Sequence, residues 1–352
     1  MMPDLLFTEK GALGFITLNR PKALNALTLD MIVALYQQLL VWQQKEEIKA
    51  IVISAVAGSA FCAGGDVRSL YQQRGLHAQQ VAFFEHEYRL NHLIHYLKKP
   101  YIALLDGITM GGGVGISLHG SHPIASERFV FAMPETAIGF FPDIGASHLL
   151  TRCPSYIGWY AGLTGCRLQA QEAHYAGLIK HKMSSSRMPE FVDALQHIQW
   201  SHDPFADVDA CLAEYEDSST SAFTHSTMIN ECFSHQSVEA ILDALLSHAA
   251  LQAQEIAAQL MQKAPLSLKV TLKQLQQAPS LSLAQCLTMD YNLVSHFMRG
   301  TDFYEGVRAL LVDKDKNPQW KPAVLEEVSS CLVDGYFETV TSPLQFNHLE
   351  TK

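Results

Sequence analysis

Little of this chain is charged. Asp, Glu, Lys and Arg make up only 17% of its 352 residues, against about 25% in ordinary soluble proteins. A basic surplus is missing too: 25 Lys and Arg stand against 35 Asp and Glu, a net charge of −10. Nucleic-acid binders normally present a basic face, so the balance argues against that class. It leaves room for an anionic ligand held by local N–H groups. The seven cysteines (Cys62, Cys153, Cys166, Cys211, Cys232, Cys286 and Cys331) are odd in number and show no C-x-x-C spacing. Neither a disulfide framework nor a zinc knuckle is expected, and no metal site; a reducing compartment is. No run of 18 apolar residues occurs, so no membrane span is expected. The opening MMPDLLFTEKGALG has no basic stretch leading into an apolar run and no Arg/Ser-rich transit composition. The expected location is the cytoplasm.

Several familiar signatures also fail. A G-x-G-x-x-G reading from Gly111 ends on Ile116, no G-K-S/T follows, and an esterase elbow around Ser117 ends on His119. Asp313-x-Asp315-x-Asn317 begins like a calcium loop but has Pro318 where the turn needs Gly. His92-x-x-His95 lacks the H-E-x-x-H pattern of a zinc helix and reads as a surface or core pair.

What is present is a substantial core: 48% of residues are apolar. The length suggests about two domains. Leu5–Glu9 and Leu13–Asn19 read as strands around a Lys10-Gly11 turn. Thr28 caps a helix whose apolar face is Leu29, Ile32, Val33, Tyr36, Leu39 and Leu40. Lys49–Ala55, Tyr101–Leu105 and Arg128–Met133 read as further strands, and Ala78–Leu97 as a helix ended by Pro100. This alternation predicts an α/β core over residues 1–185. After it the strand signals fade, and residues 186–352 read as an α-helical C-terminal region. There Leu283, Leu287, Tyr291, Val294 and Met298 share one helix face.

Three segments carry chemistry. SAFCAGGD (Ser59–Asp66) follows a strand, and its small residues let bare N–H groups approach a ligand. Its plain reading is a tight turn with Asp66 as a helix cap. ITMGGGVG (Ile108–Gly115) also follows a strand and suits a ligand-facing helix start, or close helix–strand packing. MPETAIGFFPDIG (Met133–Gly145) places two acids, Glu135 and Asp143, each after a proline and among Ile138, Phe140 and Phe141. In one apolar pocket they would serve as acid, base or nucleophile; alone, each is a helix-start charge.

Taken in order, these segments resemble the enoyl-CoA hydratase/isomerase (crotonase) superfamily. GFITLNRPKALNALTLDM resembles its first strand and helix, and the two glycine loops resemble its oxyanion-hole loops. FFEHEYRLN, LTGCRLQAQEAHYAGL and CLTMDYNLVSHFMRGTDFYEGVRALLVDKDKNPQWKP resemble the branch that hydrolyses 3-hydroxyisobutyryl-CoA, a step of valine breakdown. The resemblance implies a crotonase-type ββα spiral core with an α-helical C-terminal region, and an acyl-CoA substrate. It implies no cofactor, coenzyme A being part of the substrate, and allows a homo-oligomer. Gly65 and Gly112 would supply the two N–H donors to the thioester oxygen. Glu135 and Asp143 would be the catalytic acids, and Glu87 a substrate contact. Arg308 and Lys314 would meet the CoA phosphates. Hydratases carry a first acid three residues after the second loop glycine; here that position is Gly115. The resemblance therefore favours thioester hydrolysis over addition of water to a double bond. A single-base isomerase using Glu135 and a non-catalytic binding protein are the alternatives.

Overall fold

A computed structural model of the chain describes residues 3–219, 223, 225–340 and 342–346. Ten strands form two sheets. They are β1 (Leu5–Lys10), β2 (Leu13–Leu18), β3 (Ala50–Ala55), β4 (Ala60–Cys62), β5 (Tyr101–Leu105), β6 (Ile108–Met110), β7 (His122–Ala125), β8 (Val130–Ala132), β9 (Leu168–Gln169) and β10 (His181–Lys182). The larger sheet has the order β1-β2-β3-β5-β7-β10, antiparallel only at β1/β2; the smaller has β4-β6-β8-β9, antiparallel only at β8/β9. The chain thus deals strands in pairs. β3, β5 and β7 join the large sheet, and the strand after each joins the small one, before helical segments lead onward. This is the expected ββα spiral.

Local sequence explains the parts. In β2, Ile16 and Leu18, two residues apart, are buried on one face, and Leu13 is buried on the other, the period-2 geometry of a strand. The large sheet is covered on both faces. Ile16, Ile51, Ile53 and Ala103 join the main core, while Leu13, Val52, Ile102 and Ile124 join a second cluster under the helices Met188–His197 and Pro204–Leu212. Burial on both sides is why β3 and β5 read as unbroken apolar runs.

Thr28 caps the helix Leu29–Gln44 by accepting the Met31 N–H at 3.2 Å. The face differs from the expected one: Met31, Ile32, Leu35, Leu39 and Trp42 are buried, and Leu29 is exposed. The helix is apolar on more than one side, so periodicity alone does not choose the stripe. The second long helix runs His77–His95. The strand expected over Arg128–Met133 shrinks to β8, and Arg128 ahead of it pairs with Asp106.

No described residue after β10 is in a strand. The helix Leu283–Phe297 packs along His77–His95, and its apolar residues belong to the same cluster as Phe84, Tyr88 and Phe140. The Phe140 ring lies 5.6 Å from Phe84, 5.5 Å from Phe297 and 5.5 Å from Phe303. No described helix is long and apolar enough to cross a membrane.

Candidate active site

The small sheet explains how residues far apart in sequence meet. β4, β6 and β8 are adjacent and parallel. Their C-terminal ends therefore lie side by side, about 5 Å apart, and each is followed at once by a candidate residue. Gly64 and Gly65 follow β4, Gly111 and Gly112 follow β6, and Glu135 follows β8. Ligands of parallel sheets sit at such strand ends.

The first loop is pinned from outside. Ala63 N–H donates to Leu24 O at 3.0 Å, Leu27 N–H to Gly64 O at 2.9 Å, and Asp66 N–H to Leu27 O at 2.8 Å. The N–H of Gly65 is left over. Neither it nor the N–H of Gly112 donates to any acceptor among the described residues. A Cβ on Gly112 would stand 3.3 Å from Gly65 N, so the two amides belong to one spot. Gly111 sits at φ +47° and turns the backbone there, a conformation glycine adopts without steric penalty.

Both amides border a cavity of about 300 Å³. Glu87, Glu135 and Asp143 line it together with Phe83, Phe140 and Leu310; no Lys, Arg or His does so among the described residues. All three acids are buried. Among the described residues, Oε1 of Glu87 and Oε2 of Glu135 have no hydrogen-bond partner, which inside a protein marks a group kept for something else. Asp143 accepts a hydrogen bond from the Tyr88 hydroxyl at 2.8 Å. Burial, then the nearness of Asp143, lifts the Glu87 carboxyl well above the usual range. Burial, then Asp143 and Glu87, does the same to Glu135. Burial pushes Asp143 up to about 7, against the lowering effect of the Tyr88 bond. Three carboxylates so close do not all ionise at once at neutral pH.

All five residues singled out from sequence, Gly65, Gly112, Glu87, Glu135 and Asp143, thus meet in one cavity. Others do not. Asp66 caps the helix Val67–Gln72 and pairs with Arg20 at 2.9 Å, the plain reading. Arg308 is held by Glu305, Asp313 and Asp315 at 2.8, 2.8 and 2.6 Å. With three carboxylates on it, the cluster is net negative and disfavours a phosphate, which counts against that expectation and also occupies the calcium-like acids. Lys314 lies exposed outside the cavity. His92 stacks on Phe346, and His95 lies edge-on to His119 and His148. No group of metal-ligating side chains occurs among the described residues.

No carboxylate enters from position 115. A Cβ on Gly115 would stand 2.7 Å from Asn91 Nδ2, so the buried Asn91 amide fills that space. Sequence reading missed Asn91, and it missed Tyr88 and Asp290 as well. The signal was a polar residue within stretches that are otherwise packed.

Comparison with known proteins settles the family. The sequence pattern described as Enoyl-CoA hydratase/isomerase matches residues 13–337. The chain belongs to the enoyl-CoA hydratase/isomerase family. Its relatives include the mitochondrial 3-hydroxyisobutyryl-CoA hydrolase of Xenopus tropicalis, 44% identical over 96% of this chain and 89% of that protein. The protein of the same name from Homo sapiens is 42% identical over 97% and 91%. Among solved structures, a carnitinyl-CoA dehydratase from Mycobacterium thermoresistibile superposes with TM-score 0.92 at 34% identity, covering 98% of this chain and 99% of that one. An enoyl-CoA hydratase from Rhodobacter sphaeroides gives 0.90 at 33%, covering 98% and 100%. Both of these solved structures share the fold over nearly the whole chain. The relatives named as mitochondrial overturn the cytoplasmic expectation. The physical reason is plain: an address is read by receptors from a targeting segment, whereas free cysteines and a neutral-to-acidic balance suit any reducing compartment.

Proposed function

We propose that the chain hydrolyses the thioester of 3-hydroxyisobutyryl-CoA, or of a similarly short hydroxyacyl-CoA, to the free acid and coenzyme A. The observation that carries the reading is the pairing of two N–H groups, Gly65 and Gly112, unengaged among the described residues, with Glu135 and Asp143 in one cavity, while position 115 supplies no acid. The names of relatives at 42–44% identity supply the acyl group.

In this reading the thioester carbonyl oxygen takes the two N–H bonds. Addition to the carbonyl carbon moves an electron pair onto that oxygen, and preset donors stabilise the charge without reorganising. Glu135 either takes a proton from the attacking water or itself forms the bond to carbon, giving a mixed anhydride that water then opens. Collapse of the intermediate breaks the C–S bond, and the thiolate departs with its electrons. Asp143 binds the substrate hydroxyl or relays a proton, and Glu87 Oε1 offers a contact for a polar acyl group. The small apolar cavity favours short chains. The reaction needs only substrate and water.

The test is release of free thiol across a panel of acyl-CoAs, run beside hydration of crotonyl-CoA. Thiol release greatest with short 3-hydroxyacyl-CoAs supports the reading. Fast hydration without thiol release overturns it.

A further inference from the structure

The residue that presents Asp143 comes from outside its own segment. Tyr88, fully buried on the helix His77–His95, donates its hydroxyl to Asp143 Oδ2 at 2.8 Å. Burial keeps that phenol protonated, so it stays a donor. The turn that carries Asp143 is held before and after it, at Pro142, Ile144 and Gly145. Gly145 N–H donates to Asp290 Oδ2 at 2.7 Å, and Gln274 Nε2 donates to Asp290 Oδ1 at 2.7 Å and to Pro142 O at 2.9 Å. Nε2 of His119 meets Ile144 O at 2.7 Å; burial pulls this imidazole down to about 3, so it is neutral and donates. Ile144, a β-branched residue, sits at φ +57°. Such strain persists only where the surroundings over-determine it, and these bonds do so.

We propose that Tyr88 is the positioning residue of Asp143: its hydroxyl engages one carboxylate oxygen and leaves the other for the substrate, while Asp290, on the helix Leu283–Phe297, fixes the supporting turn from behind. The assignment rests on the hydrolase reading for its catalytic meaning, but the hydrogen bond and its consequences can be measured without turnover. The groups around Asp143 are Glu87 and Tyr88 from one helix, Glu135 from the turn after β8, Asp290 from the C-terminal helix and the neutral His119; no cation lines the cavity among the described residues. Tyr88 is therefore the side chain that favours the charged form of Asp143, and every acid near it opposes that form. A phenylalanine fills the same volume in the core, so a purely structural Tyr88 predicts no change in how Asp143 titrates.

The experiment is an NMR titration of protein carrying ¹³C-labelled aspartate carboxyls, with Asp143 assigned by Asp143→Asn. In Tyr88→Phe the Asp143 midpoint rises by about one unit, as expected when a buried carboxylate loses a donor. With 3-hydroxyisobutyryl-CoA, kcat falls about tenfold or more while KM changes little. An unmoved Asp143 midpoint in a variant with native melting overturns the proposal. Should Tyr88→Phe not fold, the bond is read from the other end in the parent protein. The Tyr88 ¹³Cζ resonance then follows the Asp143 midpoint, and its inflection vanishes in Asp143→Asn; a flat Tyr88 resonance overturns the proposal. If the parent releases no CoA, the hydrolase reading fails, and the titration still decides the role of Tyr88.

Discussion

Oε1 of Glu87 occupies the space that a Cβ on Gly112 would need. The carboxyl and the bare amide are therefore built against each other, and glycine at 112 is a condition of the contact. Gly112→Ala forces Glu87 aside and narrows the approach to the Gly65 amide. Turnover is expected to fall by about 10² to 10³, the effect of losing one oxyanion donor, with a small change in melting temperature, since the one severe overlap is with the end of the Glu87 side chain, while Gly65 N and Leu27 Cδ1 stand at 3.3 Å. Thiol-release kinetics together with a melting curve check this; near-parent turnover would remove Gly112 from the site.

Glu135 and Asp143 separate by substrate. Glu135→Gln is expected to lose about 10² to 10⁴ in kcat on every acyl-CoA that is hydrolysed, with binding retained. If Asp143 holds the substrate hydroxyl, Asp143→Asn loses activity mainly on 3-hydroxyacyl substrates and far less on acyl-CoAs without the hydroxyl. Hydroxylamine added during turnover captures Glu135 as a hydroxamate if the acid attacks directly and leaves it unmodified if it activates water; mass spectrometry reads the difference. Both variants remaining within a few-fold of the parent would place the catalytic pair elsewhere.

The pH profile has a defined direction. Glu135 must be ionised to act, and burial, Asp143 and Glu87 all hold its carboxyl well above the usual value of 4.5. Activity therefore declines with falling pH well before the ordinary carboxylate range is reached. Removing the charge of Asp143 makes Glu135 easier to ionise, so Asp143→Asn moves the ascending limb of kcat/KM to lower pH. Because the acids titrate together, the limb belongs to the cluster. An upward move of the limb in Asp143→Asn contradicts this electrostatic account.

Stability follows from the same groups with the opposite tendency. An acid whose value is raised in the folded state keeps its proton longer there than in the unfolded chain. Its contribution is intact below the ordinary carboxyl range and is lost as pH climbs through the raised value. For Asp143 that window runs from 3.8 to about 7; for Glu87 it starts at 4.5 and extends well above it. Glu87→Gln is therefore expected to stabilise the protein at pH 8 by about 1 kcal/mol or more relative to the parent, and by less at pH 4.5. Thermal melts of both proteins at the two pH values test it. An equal effect at both, or a larger one at pH 4.5, would show that Glu87 is not buried in its charged form's disfavour.

Refilling position 115 does not restore an ordinary hydratase. Asn91 already occupies the space next to Gly115, so Gly115→Glu overpacks the core and buries a further acid. A loss of roughly 1–3 kcal/mol in stability is expected, with no gain of crotonyl-CoA hydration. A folded variant that hydrates crotonyl-CoA well would show that the Asn91 barrier is easily displaced.

What the sequence by itself determined was local. The apolar run of β3, the alternation in β2, the Thr28 cap and the helix over His77–His95 were all legible, because strand and helix periods and capping chemistry act within a few residues. The two glycine loops and the pair Glu135 and Asp143 stood out for the same reason: small residues and proline-led acids are unusual local choices. Other features were decided only by tertiary structure. The order β4-β6-β8, which brings Gly65, Gly112 and Glu135 side by side, depends on which strands pair, and a strand's own pattern does not name its partner. The face of the helix Leu29–Gln44 that packs inward was set by its neighbours, since more than one side is apolar. The Arg308 cluster was, by contrast, local: Glu305, Asp313 and Asp315 all lie within a few residues of it, so its partners were within reach of the sequence. The charge states of Glu87, Glu135 and Asp143, and the reach of Tyr88 and Asp290 into the Asp143 turn, are properties of groups brought together from distant parts of the chain. Electrostatic energies depend on distance and burial, and neither exists until the chain has closed around the cavity.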